Sequence, residues 1–350
     1  MNFKKMLVLV GLLVIASVVL TACGTGPEGP AGPEGPAGAQ GEPGPAASAA
    51  DLTCTECHND TALITSKKAS WQESLHGQGV AFIEEGGNNR CAFCHSGAVF
   101  SQAVAEGKNF SEIESGDANP THQDCRTCHQ IHVTYTGEDW ALETDAPVTT
   151  VTSGATFDGG AGNLCANCHQ ARRYMANFAA KDAAGVVIPD KFTPTARFNT
   201  HYSVQVDTLL GTVDVNEALG VEGKESIHYS KVEDTCVGCH MGGGDTANHR
   251  FLPQAATCAE CHTDATSFDI DGSVTAFEEK VAALHDALIA KGLMTENADG
   301  TVSNVLDLQL DPPQAAALFV YHLIEEDGSE SVHNPAYFNA LVDASLEALK

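Results

Sequence analysis

One device is repeated six times along this 350-residue chain. The units are Cys54/Cys57/His58, Cys91/Cys94/His95, Cys125/Cys128/His129, Cys165/Cys168/His169, Cys236/Cys239/His240 and Cys258/Cys261/His262, each two cysteines three apart with a histidine directly after. Together they use twelve of the 13 cysteines and leave only Cys23. No cysteine remains for a structural disulfide, so whatever these pairs bind must organise the chain.

Thiols at that spacing can reach the two vinyl groups of one porphyrin. The next residue then points its imidazole at the iron from the same side, and Cys-x-x-Cys-His is the signature of c-type haem attachment. Zinc ribbons also pair Cys-x-x-Cys units, but they do not require a histidine after every second cysteine. A redox dithiol needs one such pair, not six. Disulfides are indifferent to the following residue. The reading is therefore six covalently held haem c groups, each iron carried by a proximal histidine: His58, His95, His129, His169, His240 and His262.

Composition agrees. Aromatic residues make up only 6% of the chain, a thin supply for a core of this length, and flat apolar macrocycles would make up the deficit. Aspartate and glutamate number 46 against 18 lysines and arginines, a net charge of -28. Such a field repels nucleic acid and suits basic redox proteins or metal ions and minerals.

The ends read differently. Residues 1–22 form a signal peptide: Lys4 and Lys5, an apolar run from Met6 to Leu20, then Leu20-Thr21-Ala22 before Cys23. The run is short for a membrane span. Leu-Thr-Ala-Cys resembles a lipobox, which makes Cys23 the lipidated first residue of the mature protein. Gly24, where an aspartate would signal retention, implies passage to the outer membrane. Residues 23–50 continue into seven Gly-x-y triplets from Gly26 to Gly44. A collagen-like trimer is one reading. An extended stalk is preferred, because so few triplets without hydroxyproline make a marginal triple helix.

Residues 51–270 are expected to form a hexahaem domain, mostly α and irregular, without alternating strand patterns. Residues 271–350 are expected to form a helical hairpin or bundle packed on it as a cap. Phe277, Val281, Leu284 and Leu288 make a helical stripe, with Thr275 and Glu278 as a capping box and Gly292 as its end. A second helix starts at Asp311–Pro312 and carries Leu318, Phe319 and Leu323; a third starts at Asn334–Pro335 and carries Phe338, Leu341, Ser345 and Leu349.

Each iron needs a sixth ligand or an open face. Nine further histidines are available. His76, His132, His201, His228, His249 and His333 are the stronger distal candidates from their positions. His132 lies three residues after His129, too close to swing round the same haem, so it would serve a neighbour and force close packing. His122, near Cys125, is a weaker candidate. His285 and His322 share apolar helix faces, where a core histidine is the ordinary reading.

These residues resemble bacterial multihaem cytochromes. Trp71 to His76, Cys125 to His132, Leu164 to Arg172, His228 ahead of Cys236 to Met241, and Asn248 to Phe251 are similar to the distal-histidine and attachment segments of that group. The resemblance implies hexahaem surface lipoproteins used in extracellular electron transfer. Glu326 to Pro335 resembles the C-terminal helical region of the pentahaem nitrite reductases and their relatives, where a comparable histidine ligates a haem. That family's catalytic Cys-x-x-Cys-Lys unit has no match here. The expected function is electron conduction at the cell surface, with no catalytic residue assigned, and with redox proteins, other multihaem cytochromes or an extracellular metal or mineral as partners. A periplasm-facing anchor is the variant location. Two alternatives stand beside it: a reductase of a nitrogen or sulfur oxyanion with one open haem, and a subunit of a cytochrome filament.

Overall fold

A computed structural model of the chain describes residues 58, 62–242 and 248–350. The signal peptide, Cys23, the Gly-x-y segment, Cys54 and Cys57 lie outside the described residues. Residues 48–350 form one compact unit. The described residues are mostly helical and irregular, and none of their helices is long and apolar enough to cross a membrane.

Short helices mark the attachment motifs. Ala92–His95, Cys125–Cys128, Asn163–Ala166, Cys236–His240 and Ala255–Cys258 are each only about one turn long. One α-turn brings residues three apart onto the same face, so the two thiols of a motif lie side by side. The turn is closed by the histidine itself. His95, His129, His169 and His262 each donate their backbone N–H to the carbonyl of the first cysteine, at 3.0, 3.0, 2.9 and 2.8 Å. Asp124 caps one of these turns by accepting from the Arg126 N–H at 2.9 Å.

Two small apolar clusters sit among the motifs. Phe93, Phe100, Ala103 and Leu164 form one, and Val148, Phe157, Ala166, Val206 and Leu209 the other. The large core lies toward the C-terminus, where Ser273–Ala290, Pro312–Asp327 and Pro335–Ala348 pack together. The middle helix is central: every residue from Ala315 to Tyr321 is buried. Ala171, Met175, Phe198, Val204, Val213 and Val215 join the same core, so it runs across residue 270.

The stripe of Phe277, Leu284 and Leu288 is buried as read from the sequence, with Val281 packed at its margin. The capping box at Thr275 and Glu278 does not form. The helix begins at Ser273 behind Gly272, which takes a left-handed φ of 75° that favours glycine, and the Thr275 hydroxyl donates to Asp269 at 2.7 Å. Asn334 caps the last helix by accepting from the Tyr337 N–H at 3.3 Å.

Strand is sparse, in keeping with the mostly α and irregular reading. Three antiparallel two-stranded ladders occur: Val148–Thr149 with Thr156–Phe157, Ala179–Lys181 with Val187–Phe192, and Met294–Glu296 with Val302–Asn304. They are tight reversals; most strands are two or three residues long, and the six-residue Val187–Phe192 does not alternate in burial.

Candidate haem-binding histidines and thiols

The ten described cysteines are all unpaired. Among the described residues, no three His, Cys, Asp or Glu side chains converge as a cage for a metal ion. What converges instead is histidines, two at a time. His58 faces His132 with ring centres 6.1 Å apart, His76 faces His169 at 6.3 Å, His95 faces His201 at 6.2 Å, His129 faces His249 at 6.3 Å and His240 faces His333 at 6.2 Å.

That separation can be tested against haem. An imidazole nitrogen lies about 2.0–2.1 Å from a first-row metal, and its ring centre roughly 1.1 Å further, so two rings on opposite sides of one iron stand about 6.3 Å apart. Direct stacking of two imidazoles would bring them much closer. Each of the five pairs joins one histidine of an attachment motif to one from elsewhere, and the residues fit a haem between them.

Ring orientation is set from behind. His129 Nδ1 lies 2.8 Å from the Trp140 carbonyl, and His240 Nδ1 2.9 Å from that of Phe251. His169 Nδ1 meets Gln205 Oε1 at 3.1 Å, and His333 Nδ1 meets Asp327 at 2.9 Å. A proton held at Nδ1 by an acceptor leaves Nε2 as the donor of a lone pair to metal. Burial pushes the His76 imidazole down to about 4, with His169 adding to it. Burial, then Arg172 and Arg173, push His201 to about 4 as well. Burial also lowers His95, His129, His169 and His240. A neutral ring is the ligating form. At His333 burial acts downward too, but the Asp327 carboxylate outweighs it and raises the pKa.

Two of the facing histidines sit on unusual backbone. His132 and His201 have φ of 68° and 71°, left-handed values that are uncommon outside glycine. At His132 the turn is held by Asp139, which accepts from the N–H groups of His132 and Thr134 at 2.8 and 2.6 Å. Strain held in place by dedicated hydrogen bonds is characteristic of functional positions.

The remaining histidines are placed otherwise. His228 donates its Nδ1–H to the Val332 carbonyl at 2.6 Å, the same orientation as the others, but no histidine ring faces it among the described residues. His262 is exposed, and among the described residues no histidine ring stands opposite it. His122 packs on Phe82 at 4.1 Å and edge-on to Trp71 at 6.2 Å, with Nδ1 buried and unpartnered. His285 contacts Asp286 and Tyr321. His322 is bonded to Asn304 at 2.7 Å and is pushed by burial to about 4.

The sixth motif is placed differently from the others. Cys261, read from the sequence as an attachment thiol, is exposed together with His262, while Cys258 is half-buried. The reason is local. The Ala255–Cys258 helix ends before Cys261 is reached, and none of the apolar clusters among the described residues includes it. The Cys261 backbone N–H still donates to the Cys258 carbonyl at 3.1 Å, so the two residues keep the turn that the motif requires. Cys125 is exposed as well, but its partner Cys128 packs against the cluster of Phe93 and Phe100, an anchorage that Cys261 and Cys258 lack.

Thiols of neighbouring motifs lie close enough to act on one another. Cys94 and Cys168 do so, as do Cys165 and Cys236. Burial raises the Cys128 thiol to about 12, and its charge is felt at both Cys165 and Cys168. Phe251 lies at a junction: its ring meets His76 at 4.9 Å and His249 at 6.0 Å, while its carbonyl meets His240. Sequence reasoning missed Phe251, Gln205 and Asp327, since none has a spacing relation to the motif it serves.

No family model matches the chain, and no curated protein does. Among solved structures it is similar to the outer cell wall cytochrome OcwA, at 19% identity and a TM-score of 0.48, over 81% of this chain and 50% of that one. It is also similar to an undecahaem cytochrome from the S-layer of Carboxydothermus ferrireducens, at 19% identity and a TM-score of 0.45, over 79% of this chain and 40% of that one. The chain thus spans half or less of the length of either.

Proposed function

We propose that this chain is a hexahaem c-type cytochrome, exported and lipid-anchored through Cys23 at the cell surface, that relays electrons between redox partners. The observation that carries the reading is the five facing histidine pairs at 6.1–6.3 Å, each with one member from an attachment motif. Haem supplies a reversible one-electron centre at each site. The chain's own part is to tether it through two thiols, orient the axial imidazoles, and keep neighbouring sites close. Axial ligation by two histidines favours conduction, because no iron face is left for substrate.

These contacts support an order of the sites, numbered along the chain. The third joins the first through His132, and the fourth through Cys128. The fourth meets the second through Cys94–Cys168 and the fifth through Cys165–Cys236. The fifth adjoins the sixth, because Cys258 acts on Cys239. The relay is a line with the second site branching from the fourth. Its sixth site, with Cys261 and His262 exposed, is an end at the surface. His228, the remaining histidine whose Nδ1 is held by a carbonyl, is the candidate to close that site, although its ring does not face His262 among the described residues. The acidic surface of the protein guides basic proteins or metal ions to it.

A second reading has its own observation. His262 is exposed with no ring opposite, which is the arrangement of a reductase with one open iron. Mass spectrometry and ferric spin state decide between them. Six added haem masses, wholly low-spin spectra and no carbon monoxide binding after reduction are expected. Zinc in place of haem sinks both readings; one carbon monoxide-binding haem sinks the closed sixth site alone. Ring planes cross at 25–34° in three pairs and at 56–69° in two, so two classes of low-spin ferric signal are expected.

A further inference from the structure

The charges of this acidic chain are unevenly placed. It has six arginines, and three of them, Arg90, Arg172 and Arg173, act on the second attachment site and its facing His201, with Arg197 beside Arg173. Arg90 directly precedes Cys91, and Arg172 donates to its carbonyl. The Arg172 backbone N–H donates at 3.2 Å to Thr200, the residue before His201, while Arg173 donates to Asn199, two residues before it. The Arg172 guanidinium lies over the Phe110 ring at 4.9 Å. The Arg173 Nε is buried with no hydrogen-bond partner, an open donor in a dry position. Glu85 and Glu326 are the acidic groups facing this cluster. Three guanidinium groups against two carboxyls leave a surplus of one positive charge where the chain as a whole carries -28.

We propose that this arginine cluster receives the propionate carboxylates of the haem at Cys91–Cys94 and makes that haem the most readily reduced of the six, the place where electrons collect. The inference rests on the multihaem reading above. Guanidinium forks match carboxylates in geometry as well as charge, and burial strengthens the pairing. Reduction adds an electron, so nearby positive charge favours the reduced iron. The third site is the natural rival, with Lys67, Lys68 and Arg126 nearby. Its Arg126 side chain is 68% exposed, however, and Asp124 and Glu143 offset the group. The second site also branches from the relay, so collecting electrons there does not interrupt the line between the fourth and fifth sites.

The test is a potentiometric titration of the full holoprotein, with six haems verified by mass before each run. A His201→Ala variant turns the second haem high-spin in the ferric state and so identifies its step. That step is expected first in the wild type. In Arg172→Gln/Arg173→Gln its reduction constant should fall at least tenfold, a displacement of 59 mV for one electron. Arg172→Lys/Arg173→Lys should recover most of the loss. If the double variant loses a haem, Arg172→Gln alone should move the step in the same direction by less. The proposal is overturned if another haem is reduced first, if the glutamine variants leave the step in place, or if lysine restores nothing. A shift of the wild-type step on adding citrate would assign the arginines to an external anion and overturn the propionate assignment. A failed mass count would instead strike the multihaem reading itself.

Discussion

Between Cys91 and His169 the helices at the attachment motifs are about one turn long, and the apolar clusters around them hold four or five buried residues. Ser273–Ala290 runs 18 residues, and its partners 16 and 14, over a continuous core with Phe319, Leu323, Phe338 and Leu341 fully enclosed. A one-turn helix cannot hold itself together in water, because nucleation fixes several residues for a single hydrogen bond. The long helices are held by their own buried faces. The first region therefore depends on what its thiols and histidines bind, and the second does not.

The strongest way to break this contrast is to remove one attachment in the middle of the relay. Cys165→Ser/Cys168→Ser takes away the site that touches its neighbours through Cys94 and Cys236, and holoprotein should fail to accumulate after export. A folded protein lacking just one haem by mass would refute the dependence. A smaller effect is expected in the second region. Phe319 packs edge-on against Phe198 at 5.4 Å, and Phe319→Ala should cost about 3–5 kcal/mol in urea unfolding followed by helical circular dichroism. The haem count should be unchanged.

Asn334 joins the two regions. Besides capping its helix, its amide donates to the Thr208 and Lys224 carbonyls at 2.9 and 2.8 Å. Asn334→Ala should cost about 1–3 kcal/mol in the same assay, and a loss near zero would mean that the cap and the haem region are held independently. The smallest change belongs to the surface. Lys280 pairs with Asp343 at 2.8 Å, yet the aspartate side chain is 59% exposed, so Lys280→Gln should cost about 0.2–1 kcal/mol and less in high salt.

The long helices were readable because periodicity accumulates over several turns and because Asp311–Pro312 and Asn334–Pro335 mark their starts. The two-stranded ladders were not, because most of their strands are two or three residues long and the six-residue Val187–Phe192 does not alternate. For the histidines, position along the chain separated stronger from weaker candidates: His76, His132, His201, His249 and His333 face motif histidines, while His122, His285 and His322 do not. His228 was ranked with the first group and faces none. The exposure of Cys261 was equally hidden, because its motif reads like the other five and only the packing around it differs. Loop position carries that much information and no more, since which ring meets which depends on how distant turns are stacked.

Taken alone, the sequence determined the chemistry available at each motif, because thiol spacing and the adjoining imidazole are covalent facts that need no fold. It also determined the strong negative charge and the helical character of the last eighty residues. Tertiary structure decided the partnerships: His132 with His58, His249 with His129, Cys94 beside Cys168, and Arg172 and Arg173 beside His201. These join residues up to 120 positions apart, as His129 and His249 are, and only the closure of loops over a shared interior brings such groups within reach of one another.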